Sequence, residues 1–451
     1  MNTPGTTFAT KPTRVRYLII LLLFIVTSIS YADRSTLSIA GPSLSKDLYL
    51  DPVAMGYLLS SFAIAYVIAQ IPGGVLIDRF GSRVIYIWAL VLWSLFTLVQ
   101  GFAGVFTGIA AFVVLFAMRF IVGLASAPAF PANARIVANW FPSSERGTAT
   151  AIFNAAQYFS LVAFAPLMGW LVHQFRWPSV FVVMGAFGLV AAVIFARFVR
   201  SPVDHPMINK GEFDYIEQGG ALVRIEDKTA SGNAAFTFAN IKVVLSSRML
   251  LGVYLGQYCI NVLTYFFVTW FPIYLVQQRH MSILQAGFMT ALPAICGFVG
   301  GVLGGVISDL LLKWTGSVTF ARKAPLLVGM LLATTIIVCN YVDTQILVIS
   351  FMALAFFGKG LASLGWAVVS DTSPKELIGV TGGIFNMIGN MAGIVTPIAI
   401  GYIVALTGSF DGALIFVALH CLLTIFAFFV IVGKIERLEL HPAAVTLGVG
   451  K

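Results

Sequence analysis

Charge is what this chain most lacks. Of its 451 residues only 10% are Asp, Glu, Lys or Arg, against 59% hydrophobic, where an ordinary soluble domain carries about 25% charged residues. That scarcity excludes a solvated globular surface and leaves a multispanning membrane protein. Cysteine is scarce too. Cys259, Cys296, Cys339 and Cys421 lie in or beside apolar runs without metal-ligand spacing, so they read as small core residues and exclude a disulfide framework. His173, His205, His280, His420 and His441 are scattered, so no metal site is expected. No nucleophile–base–orienter arrangement is visible, and the glycine run Gly297 to Gly305 lacks the lysine and strand context of a nucleotide loop. Neither an enzyme nor a cofactor is expected. A formal net charge of +9 could suggest nucleic acid, but the basic residues sit in short loops between apolar runs and form no basic face.

What the chain has is long apolar runs. Stretches of about 20 residues are long enough to cross the hydrocarbon layer as helices. They fall at 17–40, 54–77, 83–103, 106–128, 148–172, 177–197, 249–275, 283–312, 323–341, 344–369, 378–404 and 410–433. The expected fold is an all-α integral membrane protein of twelve helices in two pseudo-equivalent six-helix bundles. Residues 17–199 form the N-terminal bundle and 249–433 the C-terminal bundle. A 1–16 tail, a 200–248 linker and a 434–451 tail complete the chain. Tyr17 to Ser30 leads into Asp33-Arg34 and not a small-residue cleavage site, so it reads as a span and not a signal peptide. Placing both termini and the linker on one side puts 21 of the 27 Lys and Arg residues there. Cytoplasmic loops carry the basic excess, so the termini and linker are expected to be cytoplasmic.

Three spans carry charges well inside their ends. Asp33 and Arg34 interrupt the first, Arg119 the fourth and Lys359 the tenth. A charge near mid-membrane costs several kcal/mol unless paired or hydrated, which makes it a functional-site candidate. Arginine meets both oxygens of a carboxylate with a planar fork, so Arg34 and Arg119 are expected to bind an anion. The bland alternative is internal pairing, Arg34 with Asp33. Lys359, flanked by Gly358 and Gly360, suits a second carboxylate at the far end of a dianion, unless it snorkels or binds a helix carbonyl.

The halves echo each other. Gly74-Val-Leu-Ile-Asp78 is repeated as Gly305-Val-Ile-Ser-Asp309 at an offset of 231, and Pro142 with Phe153-Asn154 as Pro374 with Phe385-Asn386 at 232. Parallel repeats of this kind belong to rocking-bundle transporters, whose site lies between the halves. Gly74, Asp78, Arg79, Gly81, Arg83 and Asp309 read as a gating set. In it Asp78 latches onto a helix N-terminus or onto Arg83, against the alternative of a merely soluble turn. Glu145-Arg146 and Lys375-Glu376 read as further gate contacts.

The Gly74 to Arg83 pattern resembles the loop signature of the major facilitator superfamily. Tyr31-Ala-Asp33-Arg34, Gln70-Ile-Pro-Gly-Gly74 and Ala127-Pro-Ala-Phe-Pro131 are similar to its anion:cation symporters. Arg119-Phe, Gly252-Val-Tyr-Leu-Gly-Gln-Tyr258, Thr269-Trp-Phe-Pro272, Phe356-Phe-Gly-Lys-Gly360 and Leu364-Gly-Trp366 resemble the bacterial glucarate/galactarate transporters. The resemblance implies an inner-membrane permease importing a sugar acid with protons; the two-half design needs no partner, so a monomer is expected to function. Hexonate or hexuronate transport, substrate exchange without normal coupling, and a non-transporting sensor stay open.

Sugar hydroxyls need neutral partners. Gln257 with Asn261 and Asn386 with Asn390 are four apart, each pair on one helix face. Tyr66, Asn154, Gln157, Tyr265, Trp270, Trp366 and Ser370 extend the set. Tyr66, Gln257 and Asn386 match cavity positions of the resembled family. Any of these polar groups could instead join two helices. Asp33 is the expected proton carrier. The family's second acid, two turns after its arginine, is replaced here by Ser126, which cannot titrate. Coupling through Asp33 alone, altered stoichiometry or driving ion, and a substituted carrier are all compatible with that.

Overall fold

The computed structural model describes residues 12–223, 242, 244–374 and 377–439. Lys375 and Glu376, read above as gate contacts, lie outside the described residues. Twelve helices among those described are long and apolar enough to cross a membrane. They are α1 (Val15–Asp47), α2 (Pro52–Phe80), α3 (Ser82–Val105), α4 (Gly108–Trp140), α5 (Arg146–Phe175), α6 (Pro178–Phe198), α7 (Arg248–Gln277), α8 (Ile283–Thr315), α9 (Val318–Tyr341), α10 (Gln345–Thr372), α11 (Gly379–Thr407) and α12 (Asp411–Val432). No strand occurs among the described residues.

Several helices outrun the apolar windows that locate them. Hydropathy marks only the part of a helix in hydrocarbon, whereas backbone hydrogen bonding continues into the polar flanks. Thus α4 passes its break at Ala127–Pro128 and continues through Asn133 and Arg135 to Trp140. Its counterpart α10 breaks at Ala362–Leu364 and resumes at Gly365. In α7 the turn widens to a π-helix over Phe266–Trp270, just ahead of Pro272, whose missing N–H removes one helix donor.

One end of the molecule holds the linker and the other does not. At the far end the bundles are fused. Gly56 of α2 lies against the backbone of Pro397 and Ile398 in α11, and Gly401 of α11 lies against Pro52 and Gly56. Gly169 of α5 and Gly287 of α8 meet backbone to backbone. Small residues permit this approach, which supplies dispersion where lipid leaves no hydrophobic drive between helices. Tyr57 and Tyr402 share a hydroxyl contact at 3.3 Å, and Ser38 Oγ of α1 donates to the Thr269 carbonyl at 2.5 Å. Leu37, Leu44, Met55 and Leu58 belong to one continuous core with Phe267, Trp270 and Ile273 of the other bundle.

Toward the linker end the same four helices part. Where a Cβ would stand at Gly74, Gly147, Gly305 or Gly379, no atom lies within 4 Å. These positions belong to α2, α5, α8 and α11, the helices that meet at the far end. Among the described residues the bundles therefore meet at the far end and leave these four glycine positions uncovered toward the linker end.

The linker is partly folded onto the N-terminal bundle. A short helix, Lys210–Gln218, presents Glu212, which is fully buried. Its carboxylate accepts from Thr13 Oγ1 at 2.6 Å and from the backbone N–H of Val15 and Arg16 at 2.9 and 3.1 Å. It thereby satisfies the otherwise orphaned donors at the start of α1 and complements the positive end of that helix.

Candidate functional site

Neighbours in a helix point about 100° apart, and Asp33 and Arg34 accordingly go to different places. The Arg34 guanidinium carbon lies 4.5 Å from the Tyr31 ring centroid, 4.9 Å from Tyr66 and 5.0 Å from Phe62. It is within Coulombic range of Tyr265 from the opposite bundle. Its Nε is buried without a partner, and among the described residues no carboxylate pairs with it. The internal Asp33–Arg34 pair is therefore absent. Asp33 is 2% exposed, and neither carboxylate oxygen reaches a donor.

Arg119, also 2% exposed, turns toward the backbone of α1. One terminal nitrogen donates to the Asp33 carbonyl at 3.0 Å and to Thr36 Oγ1 at 3.2 Å, the other to the Arg34 carbonyl at 2.5 Å. A helix carbonyl has a second lone pair available for such bonds. In this conformation Arg119 clamps α4 to α1 directly behind Arg34, while its Nε stays buried and unpartnered. Ser126, on the same helix, donates to the carbonyl of Val122 at 2.7 Å. None of the described contacts joins it to Asp33.

The C-terminal bundle contributes mostly neutral groups. Gln257 Nε2 approaches Asn261 Oδ1 at 3.4 Å, and this pair packs against Gly365 and Gly389. Asn390 Nδ2 donates to the Asn386 carbonyl at 2.8 Å and to Asn386 Oδ1 at 3.2 Å, while Tyr265 donates its hydroxyl proton to Asn390 Oδ1 at 2.8 Å. One hydrogen-bonded set thus links α7 to α11. The Tyr265 ring also reaches Gly393, which lies beside Ala63 of the N-terminal bundle.

Trp366 is 54% exposed and stands edge-on to Phe385, centroids 5.1 Å apart. Gln157 Nε2 donates to the carbonyl of Asn154 at 3.2 Å. Trp270 belongs to the far-end seal, its Nε1 donating to the Pro397 carbonyl at 3.1 Å. Ser370 stands apart from the central group. It is exposed, two residues before the end of α10, and its carbonyl accepts from Arg437 at 3.0 Å.

Lys359 is 6% exposed and has no acid or hydrogen-bond acceptor for Nζ among the described residues. Its ammonium lies 5.4 Å from the Phe356 ring centroid and 5.7 Å from that of Tyr158 on α5. The flanking glycines do not clear its path. Gly358 packs on the Gly329 carbonyl of α9 and Gly360 on the Gly297 carbonyl of α8. Tyr31 and Tyr158 were not among the residues expected from sequence. Tyr31 sits three residues before Arg34, a helical neighbour spacing that marks it; Tyr158 carries no local signal.

The loop residues pair differently from expectation. Asp78 binds Arg135 of α4 at 2.7 Å. Arg83 donates instead to the carbonyls of Val199 and Ala196 at 2.7 and 2.8 Å, closing the end of α6. Both partners are distant in sequence, which is why spacing favoured Arg83. Arg79 is exposed over the Phe80 ring, and Gly81 links α2 to α3 at φ 83°, a conformation glycine adopts freely. In the second half Asp309 meets Arg322 at 3.3 Å, and Arg322 also binds Asp371 at 2.9 Å. Glu145 and Arg146 do not reach across the opening here. Glu145 pairs with Arg16 at 3.0 Å and accepts from Tyr215 at 2.7 Å, while Arg146 donates to the Gly220 carbonyl at 2.6 Å. They anchor the linker.

An open-ended two-bundle scaffold with unpaired charge at mid-membrane defines a membrane transport protein. Residues 23–339 match the model of the Major Facilitator Superfamily. The chain belongs to that superfamily; it is a transporter and not an enzyme, a multi-pass inner-membrane protein. It is 57% identical over 436 residues to the probable galactarate/D-glucarate transporter GudP of Escherichia coli (strain K12), covering 96% of this chain and 97% of that one. It is 58% identical over 432 residues to the probable galactarate/D-glucarate transporter GudP of Bacillus subtilis (strain 168), covering 96% and 95%. A D-galactonate transporter of Escherichia coli O6:H1 is 39% identical over 430 residues, covering 95% and 98%. Among solved structures, an inward-facing, unoccupied bacterial homologue of the human lysosomal transporter Spinster matches with TM-score 0.72 and 17% identity, covering 95% of this chain and 99% of that one. A D-xylose-proton symporter matches with TM-score 0.70 and 16% identity, covering 93% and 98%. At those identities the likeness concerns the fold.

Proposed function

We propose that this transporter imports a sugar diacid of the glucarate/galactarate class together with protons, its two bundles rocking about the central site. The carrying observation is Arg34, a mid-membrane guanidinium cradled by aromatic rings, with no acid partner among the described residues and with Tyr265 of the other bundle within Coulombic range. A cation left without its counterion suits a ligand that brings one. In this reading Arg34 takes one carboxylate, Lys359 the other, and Gln257, Asn261, Asn386 and Tyr265 the hydroxyls. Tyr66, Gln157 and Trp366 shape the chamber, while Ser370 guards its rim. Arg119 holds Arg34 in place and releases to the ligand only if α1 moves.

Asp33 supplies the proton step. Burying an unpaired carboxylate costs far more than burying the neutral acid, so loading Asp33 with a proton favours the arrangement described here. Ser126 leaves it without a second acid. The Asp78–Arg135 and Arg322-centred pairs brace each bundle as a rigid unit through the stroke. In this reading the linker end is cytoplasmic and the arrangement described corresponds to an inward-open state. The protein works as a monomer, because both halves of the site lie in one chain.

Counterflow of labelled glucarate in proteoliposomes tests this reading. Uptake against unlabelled glucarate or galactarate is expected, with accumulation when the outside is acidified. Lys359→Asn should reduce hexarate uptake more than hexonate uptake. No counterflow with any sugar acid would overturn the proposal; preference for hexonate or hexuronate would reassign the substrate.

A further inference from the structure

The Lys359 ammonium is held by something other than an acid. On either side of it, Gly358 and Gly360 pack closely on the carbonyls of Gly329 and Gly297 of two neighbouring helices. The Lys359 side chain passes the Phe356 ring of its own helix, 5.4 Å from the ammonium, toward α5. There it meets the ring of Tyr158, which comes from the opposite bundle. Tyr158 in turn fills a groove on α8, with a ring carbon 3.3 Å from the Cβ position of Gly297 and its hydroxyl 3.8 Å from that of Gly301. Its ring stands edge-on to Phe298 at 5.9 Å. It also lies within Coulombic range of Tyr31, whose ring carries Arg34. Beyond this point toward the linker, Gly147 and Gly305 face open space. Tyr158 is thus the inter-bundle contact that borders the opening.

We infer that Tyr158 is a positioning residue for Lys359, parking its ammonium over the ring face in the unloaded transporter so that the second carboxylate of a dianion takes it over. A ring quadrupole holds a buried cation more weakly than a carboxylate does, so the exchange runs in the direction of loading. The same exchange removes a contact between α5 and α10, and so ties recognition of the second carboxylate to movement of the bundles. The two cations, Arg34 and Lys359, each lie over a tyrosine ring, and the two tyrosines, Tyr31 and Tyr158, are within Coulombic range of one another. This inference rests on the proposed pairing of Lys359 with a substrate carboxylate.

The test is glucarate binding to the purified full-length protein by titration calorimetry, arranged as a double-mutant cycle. Because the contact exists only in the unloaded state, Tyr158→Leu is expected to strengthen binding roughly tenfold in the native background and to change it less than about twofold beside Lys359→Met. Weaker binding, or an equal effect in both backgrounds, would overturn the inference, since a merely structural tyrosine acts the same with or without the lysine. Tyr158→Phe should bind like the native protein, and a tenfold change there would also overturn it. If Tyr158→Leu does not remain monodisperse, phenylalanines of increasing fluorine content at position 158 keep the shape while draining the ring's negative face. A stepwise change in affinity with fluorination supports the role, and a flat series refutes it. Native affinity in Lys359→Met would overturn the lysine's assignment and this inference together.

Discussion

The two bundles share one architecture and divide the chemistry unequally. The N-terminal bundle brings Asp33, Arg34 and Arg119 to mid-membrane, all ionisable and all within two helices. The C-terminal bundle brings Gln257, Asn261, Asn386, Asn390 and Tyr265, neutral and bonded among themselves, with Lys359 as its single mid-membrane charge among the described residues. Duplication copied the scaffold, including a broken fourth helix in each half, and left the site-facing positions free to diverge. The linker-end braces diverged too. Asp78 pairs with an arginine on α4, whereas on α10 an aspartate, Asp371, stands in the corresponding region and Arg322 bridges it to Asp309. A substrate charged at its ends and hydroxylated between them suits that division.

The largest effect is expected at Arg34. Arg34→Gln should reduce glucarate counterflow on the order of 100-fold, the usual scale for losing a desolvated charge-assisted contact. A loss no greater than that of an amide substitution in the other bundle would break the charged-versus-neutral comparison. Asp33→Asn should abolish accumulation driven by a pH gradient while counterflow persists; accumulation at the native level would remove Asp33 from the coupling role.

Arg119→Gln sharpens the contrast within the N-terminal bundle. It removes the bonds to α1 carbonyls, each worth about 1.5–3 kcal/mol when charge-assisted, so the detergent-solubilised protein should melt several degrees lower. Arg34→Gln, which breaks no such clamp, should leave the melting temperature nearly unchanged. Equal melting temperatures for the two variants would contradict the separate roles. In the C-terminal bundle Gln257→Ala and Asn386→Ala should each weaken glucarate about tenfold, a neutral hydrogen bond's scale, without altering the pH dependence of accumulation. The smallest effect belongs to the loop. Gly81→Ala forces a side chain into positive φ and should cost about 1 kcal/mol of stability, read as a small fall in melting temperature at unchanged affinity.

Much of this was legible in the chain. Arg34, Arg119 and Lys359 announce themselves because a charge in a long apolar run is rare and costly. The amide ladders follow from four-residue spacing, which holds along any helix. Partner choice was not legible. Asp33 and Arg34 are adjacent in sequence and unpaired in space, because consecutive side chains leave a helix in different directions. Asp78 finds Arg135 instead of Arg83, and Glu145 finds Arg16 and Tyr215 of the linker instead of a partner across the opening. Ser370, grouped with the central residues by its helix, lies at the rim.

Composition, periodicity and the internal repeat sufficed for twelve spans, two equivalent halves and the identity of the buried charges, since each of these depends on local properties of the chain. Which carbonyls hold Arg119, which rings cradle Arg34 and Lys359, and which end of the molecule is open depend on how helices far apart in sequence approach one another. That approach is governed by glycine-lined contacts such as Gly56 with Gly401 and Gly169 with Gly287, whose partners no reading along one strand of sequence could pair.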